Sequence, residues 1–229
     1  MKDIKVIAFD ADDTLWVNEP YFQDTERKFC EMLEDFLPHH TVSQELFKTE
    51  MKNLSLYGYG VKGFILCMIE TICRVTENTA DIKIIEKTIA LGQELLQKPI
   101  ELLEGVEQVL AQLNGGYRLV MATKGDLLDQ ERKLLKSGLE KYFHHIEIMS
   151  DKNVPDYLKL LKRLDCKPEH FLMVGNSLKS DVLPILEIGA YAVHVPYHTT
   201  WMHEDVSHSI ANQKFFEAKN ILDILSFLR

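Results

Sequence analysis

Three carboxylates lie within four positions near the start of the chain, in the stretch KVIAFDADDTLW that spans residues 5–16. They follow a short apolar run that is typical of a buried parallel strand. Like charges this close repel each other unless a cation or a proton offsets them, so the arrangement indicates a site. Alternation at the strand end predicts that Asp10 and Asp12 point to the same side, which suits one carboxylate that attacks and one that carries a proton. The alternative is an acidic turn that only ends the strand.

Polar residues also follow the next two apolar segments. In MATKGD, Thr123 offers a hydroxyl, Gly125 lets backbone amides approach an anion, and Asp126 can cap the following helix, a combination that suits phosphate. The alternative is an ordinary junction between strand and helix, which would have the same sequence pattern. In MSDKNVP, Lys152 could neutralise a phosphoryl group and keep Asp10 ionised, although a single loop lysine is more often a solvated surface charge.

A fourth segment ends in LMVGNSLKSD. Asn176 and Asp181 supply oxygen atoms of the hard type that Mg²⁺ prefers. The position of Pro184 predicts that a helix begins near Ser180 and that residues 176–181 form a loop over the strand ends. The alternative is an Asn turn followed by an Asp that complements the helix dipole.

The elements that must position these residues alternate between helix and strand from Pro99 onward. This alternation predicts an α/β fold, a Rossmann-like doubly wound parallel sheet in which ligands lie beyond the carboxyl ends of the strands. We expect a last amphipathic helix over residues 218–228. The strands after the first are predicted over residues 117–122, 145–149, 171–174 and 191–195.

Roughly eighty residues after Trp16 have helical rather than strand periodicity. Helices are predicted over residues 19–36, over residues 43–54 with Ser43 as N-cap, and over residues 80–96. We therefore expect a core made of residues 1–16 and 100–229 and an all-helical insert made of residues 17–99.

Composition narrows the class of protein. The 229 residues carry a formal net charge of -9, with 46% hydrophobic and 27% charged residues, as in an ordinary globular protein. The acidic balance argues against a nucleic acid or an anionic membrane as partner. Four cysteines without CxxC pairing, and no long apolar run, favour a cytoplasmic protein with reduced thiols.

With these motifs in this order, the sequence resembles the haloacid dehalogenase superfamily, most of whose members are phosphatases. The motifs are FDADDTL, Thr123 in MATKG, Lys152, and VGNSLKSD. The insert resembles the cap that this family carries directly after its first motif. Two positions depart from the family pattern: Asp13 replaces the usual Gly, and Asn176 replaces the usual Asp.

The resemblance implies a mechanism. Asp10 would attack phosphorus and form an aspartyl-phosphate, and Asp12 would protonate the leaving oxygen and then deprotonate the hydrolytic water. The phosphoryl oxygens would be bound by Thr123, Lys124 and Lys152. Mg²⁺ would be held by the Asp10 carboxylate, the Asp12 backbone carbonyl and Asn176, with Asp181 nearby or acting through water.

We therefore predict a Mg²⁺-dependent phosphomonoesterase that acts on a small phosphorylated metabolite. A phosphomutase of the same superfamily stays open, and a signalling receiver module is the alternative from another class. Asp12 argues against a dehalogenase, because a halide leaves without a proton. The sequence names neither the substrate, whose recognition we expect from residues such as Tyr57, Tyr59 and Lys62, nor the oligomeric state.

Overall fold

The computed structural model describes residues 1, 3–204 and 210–228. The chain divides into two compact units. The first unit comprises Met1–Glu19, Ile100–Lys124 and Gln130–Arg229, and the second comprises Pro20–Pro99 and Gly125–Asp129.

The first unit contains a six-stranded sheet with the strand order β3-β2-β1-β4-β5-β6, and all of its neighbouring strands are parallel. Its strands are β1 (Val6–Phe9), β2 (Arg118–Lys124), β3 (His145–Met149), β4 (Phe171–Gly175), β5 (Tyr191–His194) and β6 (Phe215–Glu217). Because the chain moves to one side of β1 for β2 and β3 and to the other side for β4, the order reverses between β1 and β4. Ligands of such sheets bind at this reversal.

Helices cover both faces of the sheet. Ile7 and Phe9 of β1 belong to one hydrophobic cluster, whereas Val6 and Ala8 belong to another that includes Leu160. Strands that are buried on both faces read as continuous apolar runs, which explains residues 6–9. The predicted α/β class with a doubly wound parallel sheet is confirmed. The helices assigned wholly or mainly to this unit are α5 (Val106–Leu113), α6 (Leu127–Ser137), α7 (Val154–Arg163), α8 (Leu183–Glu187) and α9 (Ile224–Phe227).

The second unit is helical and has a hydrophobic core of its own, with Phe29, Leu46 and Met68 among its buried members. Gly92 permits close helix packing, since a Cβ atom there would lie 2.4 Å from Cγ1 of Ile65. The helices are α1 (Glu19–Glu31), α2 (His39–Tyr57), α3 (Val61–Val75) and α4 (Ile82–Leu96).

The predicted N-cap of the second helix and the predicted last helix are wrong. Ser43 is not an N-cap, because α2 already begins at His39, and the Ser43 hydroxyl donates to Glu26 at 2.6 Å. In place of the continuous helix expected over residues 218–228, the structure has a 3₁₀ turn (Ile221–Asp223) and the single turn α9. Asn220 stops a continuous helix there, since its side chain caps the 3₁₀ turn by accepting from Leu222 N at 3.0 Å.

The four cysteines are free thiols. Within residues 1, 3–204 and 210–228, no helix combines the length and the apolar character needed to cross a lipid bilayer.

Candidate active site

Asp10 lies directly after the central strand β1, where the order of the sheet reverses. Its backbone amide donates to the carbonyl of Val174 in β4 at 2.8 Å, so the exit of β1 is fixed to the neighbouring strand. The turn that follows is closed by a hydrogen bond of 2.7 Å from Asp13 N to Trp16 O. These backbone contacts hold the three acidic residues in defined positions at the carboxyl edge of the sheet.

A buried cluster of charges surrounds Asp10. Lys152 donates to both Asp10 and Asp181, the latter at 2.6 Å, and the three residues are at most 7% exposed. Burial raises the pKa of Asp10 to about 7 against the opposing influence of the Lys152 ammonium. Burial disfavours the ammonium of Lys152, but the two carboxylates outweigh it and raise the lysine pKa. Lys152 is therefore a buried cation at the site and not the solvated surface charge that a lone loop lysine usually is.

The side-chain amide of Asn176 faces other oxygen atoms. The atom assigned as Oδ1 lies 3.2 Å from Asp10 Oδ2 and 3.3 Å from the carbonyl oxygen of Asp12, and the Thr14 hydroxyl is 3.2 Å away. Acceptor oxygens this close repel each other unless a cation lies between them or the amide turns its NH₂ group toward them. Carboxylate, carbonyl and amide oxygens are the donors that Mg²⁺ takes, so these residues fit the ion.

This donor set uses one side-chain carboxylate, one backbone carbonyl and one amide. Among the described residues, no cluster of three or more His, Cys, Asp or Glu side chains could hold a metal ion. A divalent cation held here would depend on neutral oxygens as well as on Asp10.

The Asp181 carboxylate contacts Lys152 and the backbone at the start of the turn after β4. Its Oδ2 accepts from Ser177 N at 3.1 Å, and its Oδ1 accepts from Lys152. A Cβ atom on Gly175 would lie 2.2 Å from Asp181 Oδ2, so this approach requires glycine. The predicted loop over residues 176–181 is wrong, because a π-helical turn begins at Leu178 and is capped by Ser177.

Thr123 and Lys124 end β2 and differ in their surroundings. Thr123 is buried, and its hydroxyl donates to the carbonyl of Lys124 at 3.3 Å. The Lys124 ammonium lies 2.6 Å from Glu204 and 2.9 Å from Ser180 Oγ. Thr123 therefore lies at the end of its strand as expected, whereas the Lys124 ammonium contacts an acidic partner.

Glu204 accepts hydrogen bonds from Ser177, which caps the π-helical turn, from Ser180 within that turn, and from Lys124. Ser180 Oγ donates to it at 2.6 Å, and Ser177 Oγ also donates to it. Although burial acts in the opposite direction, Lys124 and the two hydroxyls lower the pKa of Glu204 to about 2. Glu204 therefore joins the end of β2 to the turn after β4.

Asp12 points to a different set of partners from Asp10. Trp16 Nε1 and Lys133 Nζ donate to Asp12 Oδ1 at 2.7 Å and 2.8 Å, and Gln130 Nε2 donates to Oδ2 at 2.8 Å. Asp10 and Asp12 are thus two residues apart, but they receive hydrogen bonds from separate sets of side chains.

Asp13, where the family usually has Gly, has a left-handed backbone with a φ of 61°. Asp tolerates this conformation better than most residues. Its carboxylate accepts from the backbone amides of Asn18 at 2.8 Å and Glu19 at 2.9 Å, so it caps the start of α1. Burial raises the pKa of Asp13 to about 7, although these two amides act in the opposite direction. The departure from the family pattern therefore has a structural reason.

Two of the residues predicted to set specificity have partners within the second unit. The Tyr57 hydroxyl donates to Glu70, and the Lys62 ammonium lies 2.9 Å from Asp126. Both polar groups are therefore engaged by acidic side chains.

Several polar residues of the site were not predicted from the sequence, among them Gln130, Lys133, Ser177 and Glu204. Gln130 and Lys133 are three residues apart on α6, and this spacing, which puts both on one helix face, is a signal that could have indicated them.

The chain is similar to known hydrolases in sequence and in fold. A family model described as haloacid dehalogenase-like hydrolase matches residues 4–189. The solved structure of a haloacid dehalogenase-like family hydrolase from Xanthomonas campestris superimposes with a TM-score of 0.89 and 35% identity, over 98% of this chain and 90% of that chain.

Two curated relatives are named glyceraldehyde 3-phosphate phosphatase. The protein from Methanothermobacter thermautotrophicus is 31% identical over 39% of this chain and 42% of its own length. The protein from Methanopyrus kandleri is 23% identical over 84% of each chain. The predicted enzyme class, a hydrolase of the phosphatase type, is confirmed. The chain belongs to the family of haloacid dehalogenase-like hydrolases.

Proposed function

We propose that the chain hydrolyses the phosphoric monoester of a small metabolite through a phosphorylated Asp10. The observation that carries this proposal is the buried ammonium of Lys152 between Asp10 and Asp181. A fully buried cation next to a carboxylate at a strand end costs stability unless it serves a purpose, and a phosphoryl group is an anion that such a cation binds.

The reaction has two halves. A carboxylate oxygen of Asp10 attacks phosphorus, an O–P bond forms, and the bond from phosphorus to the leaving alcohol oxygen breaks. Asp12 gives a proton to that oxygen. In the second half, Asp12 takes a proton from the water that attacks the aspartyl-phosphate, and release of inorganic phosphate restores the Asp10 carboxylate.

The chain's own residues stabilise the charge that moves in these steps. Lys152 and the Thr123 hydroxyl bind phosphoryl oxygens, whereas a phosphate contact of Lys124 stays a prediction because its ammonium pairs with Glu204. Mg²⁺, when bound by Asp10, the carbonyl of Asp12 and Asn176, supplies positive charge next to the phosphoryl group.

The names of the curated relatives support a choice of substrate class. Because the curated relatives are named glyceraldehyde 3-phosphate phosphatase, a triose phosphate is the first substrate to test. We also propose that residues 17–99 act as a cap that selects the substrate, while residues 1–16 and 100–229 form the catalytic core. The helical character of α1 to α4 supports this division.

A panel of phosphorylated metabolites tests the proposal. Glyceraldehyde 3-phosphate, other triose phosphates and sugar phosphates are incubated with Mg²⁺, and released inorganic phosphate is measured. We expect turnover of at least one small phosphate ester, and a loss of roughly 10⁴-fold or more in Asp10→Asn, as for removal of a nucleophile. Phosphate transfer to a second position of the substrate, or stoichiometric phosphorylation without turnover, would overturn the proposal.

A further inference from the structure

The carboxylate of Asp12 receives hydrogen bonds at both of its oxygens. Oδ1 accepts from Trp16 and Lys133, and Oδ2 accepts from Gln130. Trp16 belongs to the turn that carries Asp12, but the other two donors come from α6, more than a hundred residues further along the chain. The side chain is therefore fixed from two independent parts of the first unit.

Gln130 and Lys133 are three residues apart, which places them on one face of α6. Gln130 is 3% exposed, and its Nε2 also donates to the carbonyl of Lys124 at 2.9 Å. Because Nε2 lies between two acceptors, a reversed amide would put Oε1 against both of them, and the orientation of Gln130 is determined. Lys133 is anchored in the same way, since its ammonium also donates to Asn18 Oδ1 at 2.8 Å.

An ion pair that only fastened a helix to the core would not need both carboxylate oxygens to be held. A residue that exchanges a proton with the leaving oxygen does need a fixed orientation, since transfer occurs only within hydrogen-bond reach. We propose that Gln130 and Lys133 are positioning residues that orient the Asp12 carboxylate for proton exchange with the substrate. This inference rests on the proposed role of Asp12 as general acid and base.

The dependence on the leaving group tests this inference, because a good leaving group needs no proton. We compare kcat/KM, which reports the steps up to departure of the leaving group, for 4-nitrophenyl phosphate and for glycerol phosphate. In Lys133→Met and Gln130→Met, the loss on the alkyl ester should exceed the loss on the aryl ester by roughly 10- to 100-fold, as expected for one lost hydrogen bond to a charged group. Lys133→Arg should recover most of the alkyl activity.

Lys136→Met is the matched control, since Lys136 is an exposed lysine on the same helix. It should leave both rates unchanged. Circular dichroism and melting temperature establish that each variant folds, and Gln130→Met, which keeps a similar volume, provides the test if Lys133→Met does not fold.

Asp12→Asn distinguishes a failure of the general acid role of Asp12 from a failure of the positioning role of Gln130 and Lys133. If it lowers both substrates equally, the general acid role fails and the inference fails with it. If it shows the dependence on the leaving group but the Lys133 and Gln130 variants lower both substrates equally or not at all, the inference alone is overturned. A selective loss on the alkyl ester in both kinds of variant supports it.

Discussion

Two regions of the molecule bury polar side chains, and the chemistry of what they bury differs. In the second unit, the contact between α2 and α3 buries Thr49, Asn53 and Thr71. The Thr71 hydroxyl donates to Thr49 Oγ1 at 3.0 Å, and Asn53 Nδ2 donates to Glu70 at 2.9 Å. These buried groups are neutral and have partners on the neighbouring helix, so ordinary helix packing accounts for them.

The carboxyl edge of the sheet in the first unit buries full charges instead. Asp10, Lys152 and Asp181 are all nearly inaccessible to solvent. Burying ions is costly even when they are paired, and apolar residues of similar volume often give equal or greater stability. A buried polar layer is therefore not in itself a sign of function, whereas a buried cluster of charged side chains at strand ends indicates a functional site.

Removing a cation from each region should give the largest difference in the free energy of unfolding. Lys152→Met leaves Asp10 and Asp181 buried without their counter-charge, and we expect the free energy of unfolding to fall by about 3–5 kcal/mol. Arg74 in the helical unit also pairs with an acid, Glu45, but its side chain is 48% exposed. Arg74→Met should therefore cost only about 0–1 kcal/mol.

Urea unfolding at pH 7 measures both variants. Similar losses in the two would contradict the distinction between the regions. A small loss for Lys152→Met would mean that the two carboxylates take up a proton and do not need the ammonium.

The sequence contains the local information that places Asp10 at the end of β1. Residues 6–9 are apolar because both faces of β1 are covered, and the acids that follow must then lie at the carboxyl edge of the sheet. The order of the later strand ends brings Lys152 and Asn176 to the same edge. This part of the site could be predicted because each step depends on a few adjacent residues.

The partners of Asp12 could not be predicted in the same way. The contacts of Gln130 and Lys133 depend on how α6 is rotated relative to a turn more than a hundred residues earlier in the chain. Glu204 lies in a short 3₁₀ turn without a periodic pattern, and β6 has only three residues, too few for a periodic signal. Long-range packing decides these features, and local propensity does not encode it.

Substitution of the ionised Glu204 should have an effect of intermediate size on the free energy of unfolding. Its folded-state pKa of about 2 is below the ordinary value of 4.5, so ionisation stabilises the fold above pH 4.5 and this contribution is lost as the pH falls through about 2. Glu204→Gln should lower the free energy of unfolding at pH 7 by about 3 kcal/mol. The difference from the wild type should shrink between pH 4.5 and pH 2.

Glu70→Gln is the matched variant in the helical unit, where the carboxylate is partly exposed. Its effect at pH 7 should be much smaller because solvent screens the charge. Unfolding curves recorded at several pH values check both, and a loss in Glu204→Gln that does not change with pH would assign the role of Glu204 to packing alone.

The smallest effect, and the most specific one, should come from replacing an Asn by Asp in each region. Asn176→Asp adds a negative charge 3.2 Å from Asp10 Oδ2, so the variant should be less stable without metal and should bind Mg²⁺ more tightly. We expect the Mg²⁺ concentration for half-maximal activity to fall by about 3- to 10-fold, and the rise of melting temperature on adding Mg²⁺ to exceed that of the wild type. Asn53→Asp adds a charge next to Glu70 in the helical unit and should also lower the melting temperature, but Mg²⁺ should not restore it. Restoration in both variants would indicate general screening of charge, and restoration in neither would remove Asn176 from the proposed ligands.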